Sequence, residues 1–397
     1  MISARDVVHQ QIAAHAESLL ALSHDVHAHP EPAWEEEWSC ARVAGPLADA
    51  GFDVAPGIGG LPTAFRASYG SGPLNIGICA EYDALPGLGH ACGHNVIAAS
   101  SVGAALALAA VADDFGLTVT LLGTPAEEGG GGKIELLERG AFDDLHCAVM
   151  AHPGPVDVAE ARPFAVSHSR VRFTGTTAHA AAFPERGVNA ADALTLAQVA
   201  IGLLRQQLPS TVRVHGVQTL GGAAPNAIPD RTEGRWYVRA ETLAELAALE
   251  PRIWRCFEAG ALATGCELDV EPESRPYSEF RTDQGLSRLY RTNAERIGRR
   301  FPPPGAQGDG AAMNRASTDL GNVSLVLPAI HPYIGIGSLP AVNHQPEFAA
   351  ACITPAADAA VLDAATALAL TCAESALDAA LRDRLLTGRS PNPVSGR

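Results

Sequence analysis

The chain has 397 residues, enough for two or three domains with a substantial core, which excludes a single small binding module. Acidic residues outnumber basic ones 44 to 28, giving a formal net charge of −16 and a pI near 5.3. That balance excludes a basic nucleic-acid footprint or a polybasic membrane patch and leaves small molecules, or other copies of the chain, as partners.

In chain order, residues 4–23 have helical spacing, and ARVAGPLADAGF reads as a second helix ending near Gly51. A strand follows over 63–69, and PLNIGICAEYDALPG starts as an apolar strand, 74–80. It then breaks into a loop carrying Glu81, Asp83, His90, Cys92 and His94. An apolar helix over 97–112, a buried strand in LTVTLLGTP, and a loop running into a helix in AEEGGGGKIELLERGAF come next. HCAVMAHPGP adds a short strand ending at His152. Strands that alternate with helices and empty into polar loops predict an open α/β sheet with its site at the strand carboxyl ends.

The period changes near residue 164. Strand 165–174, helix 188–207, strands 212–220 and 233–240, helix 243–264 and strand 267–272 spell βαββαβ, a ferredoxin-like unit. The α/β pattern resumes through SLVLPAIHPYIGIGS and closes with a helix over 355–381; the tail from Thr387 is expected to be disordered. The domains are thus 1–164 with 276–397, and an insert, 165–275. No run reaches the roughly 18 apolar residues of a membrane helix. The opening MISARDVVHQ carries no leader or acylation motif, so a soluble cytoplasmic protein is expected. Of the eight irregularly spaced cysteines, most read as buried thiols.

HACGHN places Cys92 and His94 one residue apart before a helix, where a thiolate and an imidazole suit zinc; a buried thiol beside a surface histidine would give the same pattern. Glu127 and Glu128 sit in a glycine loop. Successive side chains of a strand point opposite ways, but in a loop Glu128 can bind metal while Glu127 stays available as a base; the bland alternative is a solvated acidic turn. MAHP contributes His152 and AVNHQPEF contributes His344. Five such donors exceed one tetrahedral zinc and suit two ions about 3.5–4 Å apart that share a ligand and an activated water, the apparatus of amide hydrolysis. A cysteine hydrolase, with Cys92 as nucleophile and His94 or His152 as base, is the competing chemistry; a regulator or peptide binder on the same fold is the non-enzymatic one.

CAEYDALPGLGHACGHN, GTPAEEGGGGKIELLERGAF, MAHPGP, GTTAHAAAFPERGVNAADA, VHGVQTLGGAAPNAIPD, STDLGNVSLVLPAIHPYIGIG and AVNHQPEF, in this order, resemble the dinuclear zinc aminoacylase and carboxypeptidase superfamily, peptidase family M20. Within its amidohydrolase branch the likeness is to the β-alanyl-lysine dipeptidase type, next to aminobenzoyl-glutamate hydrolase. The resemblance implies a mixed-sheet α/β zinc-peptidase catalytic domain with an inserted ferredoxin-like lid and dimerisation domain, and hence a homodimer. It implies Cys92 as the bridging ligand, His94 and His152 completing one metal, and Glu128 and His344 the other. Glu127 would be the general base and Asp83 a second catalytic carboxylate. Glu81 stands where the wider superfamily often has a metal-binding histidine, and Asn95 where other amidohydrolases have aspartate. His179, Asn226 and Arg239 match positions that bind the substrate carboxylate or reacting carbonyl, His179 from the partner subunit. Away from the family, a guanidinium fork suits a carboxylate and an amide or imidazole suits an oxyanion, although Arg239 could equally be an ordinary surface charge. His24, His27, His29 and His168 are read as structural or surface histidines. The expected substrate is a dipeptide or N-acyl amino acid and the expected cofactor two divalent ions, zinc with manganese or cobalt as substitutes.

Overall fold

Two largely apolar runs, LNIGICA and LTVTLLG, need cover on both faces, and each is a buried strand at the centre of a six-stranded mixed sheet. This computed structural model describes residues 4–301 and 315–387, and the sheet belongs to a unit made of residues 4–163 and 280–387. That unit begins with α1 (Ala4–Ala28), α2 (Glu37–Asp49), β1 (Asp53–Pro56), β2 (Phe65–Tyr69) and β3 (Leu74–Ala80). It continues with α3 (His94–Ala109), the single turn α4 (Ala112–Phe115), β4 (Leu117–Gly123), α5 (Gly132–Glu138), β5 (Cys147–Val149) and β6 (His152–Gly154). Residues Phe164–Glu279 form the second unit: β7 (Ala165–Thr174), α6 (Ala190–Leu204), β8 (Arg213–Leu220), β9 (Arg231–Ala240), α7 (Leu243–Thr264) and β10 (Glu267–Pro272). The first unit then resumes with α8 (Gln284–Arg296), α9 (Leu320–Ser324), β11 (Ala329–Ile330), β12 (Tyr333–Gly335), α10 (Pro346–Ala351), α11 (Pro355–Leu377) and α12 (Ala379–Thr387).

The sheet order is β1-β2-β4-β3-β5-β11. β4, β3, β5 and β11 run parallel, β2 runs against β4 and β1 against β2, so the carboxyl ends of four adjacent strands open on one side. Alternation sends Leu74, Ile76, Ile78, Leu121 and Val149 into one apolar cluster and Cys79, Leu122 and Ala148 into another. The first cluster holds α1, α3 and α11, packed so closely that a Cβ on Gly103 would lie 2.8 Å from Leu19 and 2.9 Å from Ala365. α11 is long and apolar enough to cross a membrane, but most of it is buried within this helical layer. All eight cysteines are buried free thiols.

The second unit is an antiparallel sheet of order β10-β7-β9-β8 with α6 and α7 on one face, which is the ferredoxin-like arrangement of the βαββαβ pattern. Asn189 and Thr242 cap its two helices, accepting from the N–H groups of Ala191 and Glu245. Several boundaries differ from expectation. His94 is the first residue of α3 rather than part of the loop before it, and His152 opens β6 rather than ending a strand. The closing helix breaks after Leu377 into α11 and α12, and the polar helix α8 was not anticipated. The tail beyond Thr387 lies outside the described residues.

Candidate metal centre

β3 ends at Ala80, and the chain turns away carrying Glu81 and Asp83, both buried. After Cys92 the backbone reverses at Gly93, whose φ of +82° is open to glycine, and α3 starts at His94. The turn is also close: a Cβ on Gly93 would lie 2.5 Å from Pro153 Cγ. Asp83 holds two neighbours with one carboxylate. Its Oδ1 lies 3.0 Å from His94 Nδ1 and its Oδ2 accepts the Glu128 N–H at 2.9 Å. With Nδ1–H donated to Asp83, the His94 lone pair is left on Nε2.

β4 delivers the second loop. Ala126 adopts φ +56°, Glu127 and Glu128 follow, and Glu128 Oε1 comes within 3.4 Å of His344 Nε2. His344 itself has φ +70° and donates its N–H to the Ala91 carbonyl at 2.8 Å, so two non-glycine residues beside the site hold left-handed backbone. His152, at the start of β6, places Nε2 3.5 Å from Cys92 Sγ while Nδ1 lies 2.8 Å from the Pro153 carbonyl. Three groups of donor atoms result, each with its atoms within 4.8 Å of one another: Cys92, His94 and His152; Cys92, Glu128 and His344; Glu81, His94 and Glu127. The first two share the thiol. The five expected ligands thus converge as two triads with Cys92 in common, and Glu127 lies beside both, its Oε2 3.8 Å from His94 Nε2.

The donor set fits divalent ions. His94 Nε2 and Glu128 Oε1 are buried with no hydrogen-bond partner, an expensive arrangement unless a cation completes it. Burial and the Glu128 and Glu127 carboxylates push the Cys92 thiol well up, which a coordinated ion reverses. Burial also raises Glu127, aided by Glu81 and Glu128, whereas His344 and His94 outweigh burial at Glu128 and hold it near 2. The two neighbouring carboxyls are thus pushed in opposite directions, Glu127 towards higher proton affinity, as a proton acceptor needs, and Glu128 towards the ionised form, as a ligand needs. Burial lowers His152, with His331 and His94 adding to it; at His94 burial is overridden by Asp83.

Glu81 divides its oxygens, Oε2 lying 3.4 Å from His94 Nε2. Its Oε1 lies 2.5 Å from Lys133 Nζ, which also meets Asp319 Oδ1 at 2.7 Å, and Asp319 Oδ2 accepts the Lys133 N–H. Asp319, Glu36 and His331 were not anticipated. Lys133 had one signal, being the single lysine of the chain. His331, buried and without a hydrogen-bond partner, stacks on His152 with ring centroids 5.3 Å apart. Asn95 is structural, donating to Ser23 Oγ and the Cys352 carbonyl.

The three expected substrate-binding residues belong to the second unit. His179 bridges Ala227 in antiparallel register and Ala180 donates to the Asn226 carbonyl at 3.0 Å, which makes the first two neighbours. Arg239 stands on β9 with Nε 3.2 Å from His215 Nε2.

Comparison with known proteins identifies the family of the chain. The chain is 42% identical over 392 residues to mouse Xaa-Arg dipeptidase, covering 94% of this chain and 88% of that one. It is 34% identical over 264 residues to one of the subunits of p-aminobenzoyl-glutamate hydrolase from Escherichia coli K12, covering 61% of this chain and 54% of the relative. Among solved structures, the Bacillus subtilis YXEP protein, described as a dinuclear metal binding peptidase from the M20 family, superposes with a TM-score of 0.65 at 20% identity, over 91% of this chain and 99% of that one. The model of peptidase family M20/M25/M40 matches residues 77–361, and on that match, with those relatives, the chain belongs to this family.

Proposed function

We propose that the protein is a dinuclear metallohydrolase that cleaves the amide bond of dipeptides. The observation that carries the reading is the pair of ligand triads sharing Cys92, with the Glu127 carboxylate 3.8 Å from His94 Nε2. Cys92, His94 and His152 would hold one divalent ion, zinc in the first instance, and Cys92, Glu128 and His344 the other. When bound, the ions supply Lewis acidity to the scissile carbonyl and the attacking water, and positive charge that favours ionised Cys92 and Glu127. Glu127 takes the proton of the water on its carboxylate and passes it to the leaving amine nitrogen. Asp83 keeps His94 in the tautomer with Nε2 free and steadies Glu128 through its N–H.

In the second unit, His179 and Asn226 offer donors for an oxyanion and Arg239 offers a fork for the substrate carboxylate. That unit acts as lid and dimerisation domain. β8 is a sheet edge, and α6, packed on β7 and β9, exposes Leu196, Val199 and Leu203, the last to 71%, in one helical stripe that a second copy would cover. Eight buried free thiols favour a reducing, cytoplasmic location. The 42% identity to a dipeptidase favours dipeptides with a basic C-terminal residue, including β-alanyl ones; the 34% identity to part of an aminobenzoyl-glutamate hydrolase supports aryl-acyl or N-acyl amino acids as the second reading.

The test is a panel of Xaa-Arg and β-alanyl dipeptides, N-acyl amino acids and aminobenzoyl-glutamate, assayed after chelation and after repletion with zinc, manganese or cobalt. Dipeptides should give the highest kcat/KM, and chelation should abolish turnover. Full activity in the chelated protein would return the chemistry to a Cys92 nucleophile, and a preference for aminobenzoyl-glutamate would install the second reading.

A further inference from the structure

The segment between α1 and α2 makes no contact that a ligand role explains, yet it is tied to both loops of the metal centre. Ala84 donates to the Glu31 carbonyl at 2.8 Å and Pro32 pairs with Ala84 as a parallel bridge, so the segment runs beside the Asp83 turn. It then reaches the glutamate loop at two points. A Cβ on Gly130 would lie 2.8 Å from Trp34 Nε1, and Glu36 Oε1 accepts the N–H of Ala126 at 2.8 Å. Trp34 has φ +72°, a conformation that disfavours a bulky residue. Glu36 is fully buried, does not cap α2 with its side chain, and leaves Oε2 without a hydrogen-bond partner.

We infer that Glu36 is a positioning residue for Glu127, acting through Ala126. Ala126 immediately precedes Glu127 and holds left-handed backbone, which an alanine adopts at a cost. A buried side-chain oxygen at this reach satisfies its N–H, and so holds that backbone in place and fixes the direction in which the chain enters Glu127. The arrangement is costly for Glu36 itself, because burial and the Asp83 carboxylate push its carboxyl up to about 7. A carboxyl kept under such conditions at the neck of a catalytic loop is retained for geometry.

This inference rests on Glu127 being the general base, and the experiment separates the two. Glu36→Gln keeps an oxygen acceptor at the same reach and gives up the charge, whereas Glu36→Asp keeps the charge and gives up the reach. With metal content unchanged, Glu36→Asp should lower kcat about 10- to 100-fold with KM within about twofold, and Glu36→Gln should stay within about threefold of wild type. In a Glu127→Gln background Glu36→Asp should cost less than about twofold more, since its route of action is already gone. Wild-type turnover by Glu36→Asp would overturn the inference, as would an equal loss in Glu36→Gln, a loss that persists undiminished in the Glu127→Gln background, or one that appears as lost metal. Near-wild-type turnover by Glu127→Gln alone would instead remove the general base, and the inference with it.

Discussion

Two adjacent glutamates differ here because their neighbours differ: Glu128 faces His344 and His94, Glu127 faces Glu81 and the burial of the site. Replacing Glu127 by Gln removes the proton carrier and spares the ligands, so turnover should fall about 10²–10⁴-fold while elemental analysis still finds both ions; close to wild-type turnover would mean the roles within the pair are misassigned. Cys92→Ala removes the one donor common to both triads and should lower metal content, and full dinuclear occupancy in that variant would refute the bridge. Glu36 carries a pH signature. Its carboxyl is raised from 4.5 to about 7 by burial and Asp83, while the other groups around it, Cys40 and Tyr82, are pushed up well beyond that range. The folded state therefore binds this proton more tightly, and the stabilisation, complete below pH 4.5, is lost as pH rises through 7. Glu36→Gln abolishes that titration, so its stability relative to wild type should climb by about 3 kcal/mol between acid and mildly alkaline pH. Denaturant titrations that gave a pH-independent difference would contradict the burial.

At the scale of elements, what was legible depended on how local the cause is. β3, β7, α7 and β10 match expectation to the residue, because local periodicity, or for α7 a capped start and a glycine stop, marks the limits of each. The ligand-bearing strand ends were readable for the same reason. α8 was not, since its sequence is mostly polar and only a narrow face, with Leu286, Tyr290 and Ala294, is buried. Glu36 and Asp319 were hidden because their partners, Ala126 and Lys133, are far along the chain, and no local pattern marks a buried acid whose cation arrives from elsewhere. The β3–α3 connection shows how much a single small residue carries. Gly93→Ala meets both an unfavourable φ and Pro153, costing about 1–3 kcal/mol, and moves Cys92 and His94 together. Reduced metal content with an unchanged far-UV circular dichroism spectrum is the expected result; full occupancy would show that the turn absorbs the methyl group.

For the whole molecule, the decisive question is whether one chain suffices. If His179 completes the site of the other subunit, neither His179→Ala nor the ligand variant His152→Ala is active alone, but a mixed dimer has one site with intact metals and a histidine borrowed from its partner. Co-expression should therefore restore activity to verified heterodimers, and its absence there would place His179 in its own chain's chemistry or in none. Lys133 offers another handle on the assembled protein. It is the one lysine of the chain and has no accessible surface, locked between Glu81 and Asp319 behind the ligands. An amine-directed label or a lysine-specific protease thus finds no side chain to attack until the centre itself opens. The rate at which that one residue becomes modified or cleaved is a clock for local unfolding at the metal site, read without any engineered probe.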